Sequence, residues 1–560
     1  MTVLNAIRIA PGTANGNVLV SQTGLSFWGG VDPGTARVID VHHPLHGQSI
    51  AGAILMMPTS RGSCSGSGVM LDLALNGRAP AALIFSEPED ILTLGALIAA
   101  QLFGRGIPVV RVCSEALAQL ADQSSLTIDA DAILGNGIRI PISESPISRL
   151  ALSEEDQWIR DGRDGRAAAF AMHVVCTVAA QQGATQLIDI HRGHIDGCIF
   201  AHEANLIFAE RMDEMGARVR VPTTINAISV DRLNWTSQGV PVPFGTSASR
   251  LADAYVRMGC QPTFTCAPYL LDDSPQQAEA IAWAESNAVV YANSVLGART
   301  PKHPDYLDLL IAMIGRAPLS GVYRDEERQA RVILEFDVPA DADDAVWPLI
   351  GYLAGLKSPD RIPLLRGLGK AAPNSDDLKA LCAAFGTTSA APMLHVEGVT
   401  PEAAGAAAPD TPLIKLTRDD FAWAWRQLNQ GPDRIDLIAI GSPHASLKEC
   451  GLLAQMLNGR PARVPVIVTA GRQTIAQARA QGTLAALQAA GVMLIPDLCW
   501  CSITEPVFPP AARSVMTNSG KYAHYGPGLS GRTVRLASLR QCAEAAVTGV
   551  SSLEPPAWMR

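Results

Sequence analysis

The stretch Ile435–Cys501, "IDLIAIGSPHASLKECGLLAQMLNGRPARVPVIVTAGRQTIAQARAQGTLAALQAAGVMLIPDLCWC", decides the fold of this 560-residue chain. Its short apolar runs, "IDLIAIG", "VPVIVTA" and "VMLIPD", read as strands. Between them "ASLKECGLLAQMLNG" and "TIAQARAQGTLAALQAAG" carry apolar residues at helical spacing. Strand and helix in strict alternation predict a parallel sheet covered by helices on both faces. Ligands of such sheets gather beyond the carboxyl ends of the strands. By that rule "GSPH" (Gly441–His444) and "DLCWC" (Asp497–Cys501), each following a strand, point into one crevice.

The alternation extends upstream. "RAAAFAMHVVCTVAAQQGA" reads as helix, "TQLIDIH" as strand and "HEANLIFAERMDEMGA" as helix. Between residues 81 and 112 the order is strand ("AALIF"), helix ("DILTLGALIAAQLFGRG"), strand ("IPVVRV"), so the first roughly 140 residues form one α/β or β-rich unit. The stretch "RIPISESPISRLALSEED" mixes Pro and Ser before a capping box at Ser153–Asp156, which sets a domain boundary between residues 145 and 146. The Ala- and Pro-rich 397–412, "EGVTPEAAGAAAPDTP", reads as a surface linker.

Composition narrows the function. The net charge of -9 and pI of 5.7 leave no basic face to track nucleic acid or an anionic membrane, so a small molecule is the expected ligand. No apolar run reaches the roughly 18–20 residues of a membrane span, and the N-terminus lacks a signal-peptide pattern. A cytoplasmic monomer is expected. Eleven cysteines in such a chain divide between packing and chemistry rather than forming a disulfide framework. Cys113, Cys176, Cys382 and Cys542 stand in apolar or helical surroundings and read as core.

Several polar clusters carry chemistry. In "PTSRGSCSGSGVMLDLAL" (58–75) serines and glycines sit on a turn between strand "AGAILMMP" and a helix. A serine there caps the helix, holds an anion, or serves as base or nucleophile in the field of the helix start. Cys266, followed by Pro268, and the C-x-C pair Cys499/Cys501 offer soft sulfur donors for zinc or an iron-sulfur cluster. "IDIHRGHIDG" sets His194 and Asp196 just past a strand. "AWAESNAVVYANSVLGART" puts Ser286, Asn287, Asn293, Ser294 and Arg299 among small apolar residues, as an internal network or a pocket lining. "MTNSGKYAHYGPG" adds Lys521, a solvated charge or a partner for an anionic substrate.

The segments "VPTTINAISVD", "TCAPYLL", "AWAESNAVVYANSVLGART", "IGSPHASLKE" and "MTNSGKYAHYGPG" closely resemble the catalytic region of the aconitase X proteins, and "RGSCSGSG" resembles their small swivel domain. The resemblance implies an α/β protein with a swivel domain (1–145) fused to a large catalytic region (146–560) of parallel sheets covered by helices. It implies a hydro-lyase that uses an iron-sulfur cluster as Lewis acid, and the fused form points to cis-3-hydroxy-L-proline as substrate. The two-subunit form is associated with mevalonate 5-phosphate instead.

By motif position the proton-abstracting serine is Ser63, with Ser65 beside it. Cys266 and Cys499 map onto cluster ligands. Where the two-subunit branch has a third cysteine this chain has Ser442, and Cys501 is expected to supply the thiolate, as for a 2Fe-2S cluster. Lys521, Asn226, Ser286, Asn287, Asn293 and Ser294 are candidates to neutralise the substrate carboxylate, and His194 or Asp196 to protonate the departing hydroxide. A serine hydrolase with Ser63 as nucleophile is the rival of another class, but the chain has no G-x-S-x-G elbow.

Overall fold

The computed structural model describes residues 4–40, 43–144 and 149–559. The expected parallel sheet is present. Five parallel strands lie in the order Val492–Ile495, Val466–Thr469, Leu437–Ile440, Ser514–Thr517 and Thr533–Leu536. Successive side chains of a strand point to opposite faces. Leu437 and Ala439 accordingly enter one core, while Ile438 and Ile440 enter another with Val466 and Val468. Burial on both faces is why these strands read as continuous apolar runs. The helical segment 474–491 departs from expectation. It is two helices, Arg472–Ala480 and Thr483–Ala489, broken where Gly482 takes a left-handed φ of 76°.

Residues 6–144 close into an eight-stranded barrel. Its neighbours run Ala6–Ala10, Ile138–Glu144, Ala132–Gly135, Ser125–Ile128, Ala14–Val20, Ile54–Met57, Ala82–Phe85 and Val109–Val112, the last pairing back on the first. Ile54, Met56, Ile84 and Val110 fill the barrel, whereas Leu55, Met57, Leu83 and Phe85 face outward into the core shared with the catalytic region. Full burial of each such Leu or Ile contributes about 1.5–3 kcal/mol. The outward face therefore fixes the barrel to its neighbour.

A two-stranded antiparallel sheet, Leu187–Asp189 with Arg316–Pro318, and two further parallel sheets lie in the catalytic region. One orders Thr223–Ile225, Gly193–Ile195 and Ala282–Trp283. The other orders His395–Val396, Pro363–Arg366, Val332–Phe336 and Leu413–Leu416.

The stretch 397–412 is the crossover of that second sheet; most of it lies on the surface, and it is anchored at a few points. Ala403 and Ala406 are buried, Ala330 N–H donates to Ala406 O, and Glu402 pairs with the buried Arg328. Ser153 and Asp156 form the expected capping box, but the boundary set at 145/146 falls in 145–148, outside the described residues. Cys176, Cys382 and Cys542 are buried; Cys113 is exposed, at the start of helix Ser114–Ala121 rather than inside strand Val109–Val112. Among the described residues no helix is long and apolar enough to cross a membrane.

Candidate active site between the barrel and the parallel sheets

After strand Ile54–Met57 the chain turns through 58–65 into helix Gly66–Leu75. Gly62 takes φ +94°, and a Cβ there would lie 2.2 Å from Ser26 Oγ, so the turn requires glycine. Ser65 occupies the N-cap position yet makes no capping hydrogen bond. Its hydroxyl instead accepts from Ser63 Oγ at 3.4 Å. Capping therefore does not account for the serines. The turn is fastened to the catalytic region by Ser67 Oγ, which donates to Cys64 O at 2.9 Å and to Asp305 O at 3.2 Å.

Ser65 lines a small cavity with Trp28, Asp196, His202, Asn205 and Asp305. Asp196 follows strand Gly193–Ile195, its backbone N–H donating to Asp308 Oδ2 at 2.7 Å, and its carboxyl accepts from Asn226 Nδ2. Burial, reinforced by the neighbouring Asp305 and Glu285, pushes the Asp196 carboxyl well up. Burial also raises Asp305 and Asp308 to about 7. Among the described residues Asp305 Oδ1 has no hydrogen-bond partner. His194 is buried against Thr224 Oγ1 (2.7 Å), and desolvation lowers it to about 3, so it is a neutral imidazole at physiological pH.

Behind the cavity lies a second layer. Glu285 caps helix Ser286–Tyr291 and pairs with Lys521 at 2.7 Å, both side chains buried. Asn226 Nδ2 and Asn287 Nδ2 donate to the same carboxylate at 3.1 and 2.7 Å, and Tyr269 OH donates to Asn287 Oδ1 at 2.9 Å. Burial opposes the charge on both partners. Their mutual attraction prevails, holding Glu285 well below and Lys521 well above their ordinary values.

Asn287 also donates to Cys266 O at 3.0 Å, which ties this layer to the sulfurs. Cys266, Cys499 and Cys501 pack together around Ala227. His444 N–H donates to Cys266 Sγ at 3.3 Å, and His444 Nε2 meets Leu498 O at 2.7 Å. The "GSPH" and "DLCWC" loops thus do share one crevice. Ser442 Oγ, in the same loop, is buried without a partner among the described residues. Among the described residues no three His, Cys, Asp or Glu side chains are disposed as a cage for a single metal ion. The site offers three neighbouring thiols, a donor set that suits soft iron in a cluster better than a hard cation.

The polar cluster of 285–300 divides. Glu285 and Asn287 belong to the site, and Ser286 stands half-buried beside them. Asn293 and Ser294 do not line the cavity. Asn293 Nδ2 donates to Val289 O, Thr300 O and Pro392 O, its Oδ1 accepts from Thr300 N and Arg328, and Ser294 Oγ accepts from Leu394 N. Arg299 reaches away from the site to Tyr323 O and Asp325. Those groups form the internal network. Sequence reasoning missed Asp305 and Asp308, whose signal was two acids three residues apart opening the apolar helix Leu307–Ile314.

Family profiles match nearly the whole chain: the Aconitase X swivel domain over residues 3–135 and the first, second and third domains over 149–326, 330–426 and 435–548. The chain is 50% identical to the cis-3-hydroxy-L-proline dehydratase of Pseudomonas aeruginosa, covering 98% of this chain and 97% of that protein. It is 45% identical to that of Hypocrea jecorina, covering 98% and 96%. Among solved structures it resembles the holo-form of Thermococcus kodakaraensis aconitase X at a TM-score of 0.66 and 31% identity, covering 71% of this chain and all of that one. The chain belongs to the aconitase X family, and it is a dehydratase, a carbon–oxygen lyase.

Proposed function

We propose that this enzyme dehydrates cis-3-hydroxy-L-proline to Δ1-pyrroline-2-carboxylate. One observation carries the reading: Ser65, uncapped and hydrogen-bonded to Ser63 on the barrel turn, lines a cavity with the buried acids Asp196 and Asp305, and a lysine and three cysteine sulfurs lie behind those acids.

In this reading Ser63 removes the Cα proton. A free serine hydroxyl is far too weak an acid to become such a base, so its oxyanion must be stabilised by donors beside it. Ser65 N–H, 3.3 Å from Ser63 Oγ, is one such donor. Lys521, paired with Glu285, and Asn226, whose Nδ2 donates to Asp196 and Glu285, would offset the charge that builds on the substrate carboxylate only by exchanging those partners for it. Asp196 is held protonated by burial and so is the group suited to protonate the departing 3-hydroxide. His194, held as a neutral imidazole by burial, is the weaker acid.

Cys266, Cys499 and Cys501 would hold an iron-sulfur cluster of the 2Fe-2S type, which supplies a Lewis acid for the 3-hydroxyl when bound. Loss of one proton from Cα and hydroxide from C3 leaves an enamine and one water. The enamine tautomerises to the Δ1-pyrroline with no net redox change. A phosphorylated hydroxy acid is disfavoured as substrate, because a phosphate dianion would enter a cavity lined by Asp196 and Asp305.

The test is Ser63→Ala, assayed for pyrroline formation and by visible spectroscopy. We expect turnover to fall by at least three orders of magnitude with the spectrum unchanged. Retained turnover would remove Ser63 from the mechanism.

A further inference from the structure

The substrate proposed above carries a secondary ammonium in its ring, and nothing in that mechanism says what receives it. We infer that Asp305 receives it: the free carboxylate oxygen accepts a hydrogen bond from the ring nitrogen, which makes the enzyme selective for cyclic imino acids over hydroxy acids without a cation.

Asp305 is 2% exposed and lines the cavity with Ser65 and Asp196, while its Oδ1 lacks a partner among the described residues. A buried carboxylate oxygen without a donor costs free energy. A ligand N–H completes it. The cations whose charge reaches this acidic layer are already engaged, since Lys521 pairs with Glu285 and Lys302 Nζ donates to Ser389 O at 2.8 Å. The main chain that carries Asp305 is also fixed in place, because Ser67 Oγ donates to Asp305 O and Asp305 N–H donates to Cys64 O at 3.4 Å.

Asp196 and Asp305 are neighbours, and of the two Asp196 holds a proton more firmly. The first proton to leave the pair therefore leaves Asp305, and a ring ammonium beside it favours that loss. In the substrate the ring nitrogen and C3 are both bonded to Cα. Two adjacent carboxyl groups can then serve the two positions separately, Asp196 at the hydroxyl and Asp305 at the nitrogen. An ammonium kept charged in this way also acidifies the Cα proton that the base must remove.

This inference rests on a pyrrolidine substrate, and the experiment separates the two. Binding of L-proline and of (S)-tetrahydrofuran-2-carboxylate, which has oxygen in place of the ring N–H, is measured by calorimetry on wild type and on Asp305→Asn. Wild type is expected to favour L-proline on the order of tenfold to a hundredfold, the worth of one hydrogen bond to a charged group. Asp305→Asn should reduce that preference to within about threefold, with the circular dichroism unchanged. Equal binding of both ligands by wild type overturns the inference without any variant, which covers the case of an Asp305→Asn protein that does not fold. Full preference persisting in a folded Asp305→Asn also overturns it. Binding of neither ligand by wild type discards the pyrrolidine substrate itself, and the inference with it.

Discussion

Replacing Lys521 by methionine tests the charge layer beneath the cavity. Lys521 Nζ lies 2.7 Å from Glu285 Oε1 and both side chains are buried. Two unit charges about 4 Å apart attract by about 4 kcal/mol at an effective dielectric near 20. Removing one partner of a buried pair typically costs about 3–5 kcal/mol, because the other charge is left uncompensated. Lys521→Met should therefore lower stability by about that much at pH 7.5, read as the denaturant midpoint of the unfolding step that involves this region.

The sign of the pH dependence follows from Glu285. With Lys521 present its carboxyl is held at about 2 against an ordinary value near 4.5. The pair's contribution is thus complete above about 4.5 and lost as pH falls toward 2. Without Lys521, burial is the largest remaining influence on Glu285 and raises it against the hydrogen bonds from Asn226 and Asn287, so the carboxyl takes up a proton more readily. The loss in Lys521→Met should then shrink between pH 7.5 and pH 5.5. The double variant Lys521→Met/Glu285→Gln, which buries no charge, should recover most of it. A double variant as unstable as the single one, or a loss that does not change with pH, would refute the reasoning.

Further outcomes follow from the same geometry. Cys266→Ser should bleach the visible absorption of the purified protein, and an unchanged spectrum would remove Cys266 from the ligand set. Gly441→Ala forces an alanine to φ +102° with its Cβ 2.1 Å from Thr469 O; a loss of about 1–3 kcal/mol or more is expected, measured by thermal unfolding, and wild-type stability would contradict the close approach. His194, lowered to about 3 by burial, is neutral in the fold and protonated in the unfolded chain below about 6.5. It therefore subtracts stability as pH falls from about 6.5 toward 3. His194→Gln should flatten that part of the stability profile, and a profile identical to wild type would contradict the burial.

What the sequence made legible was local. Leu437 to Ile440 reads as a strand buried on both faces because each residue has a core to enter. The crevice followed from the rule that loops leave parallel strands at their carboxyl ends, which brought Gly441–His444 to Asp497–Cys501. What was not legible depended on partners distant in the chain. Glu285 and Lys521 are 236 residues apart, and Ser67 meets Asp305 across 238. Closure of the barrel likewise depends on Ala6–Ala10 finding both Val109–Val112 and Ile138–Glu144. Composition read 397–412 correctly as a surface stretch, but gave no sign that Ala403 and Ala406 within it are buried against the second sheet. Gly482 stopped a helix whose apolar periodicity continued past it. Asn293 and Ser294 were the right residue types for a pocket, but their hydrogen bonds are consumed by backbone groups of neighbouring segments.

Anaerobic turnover of cis-3-hydroxy-L-proline, followed by pyrroline formation beside trans-4-hydroxy-L-proline and mevalonate 5-phosphate, tests the central claim most directly. The account predicts that the cis-3 compound alone is dehydrated. Turnover of mevalonate 5-phosphate, or inactivity toward the cis-3 compound in a coloured, iron-replete protein, would contradict it.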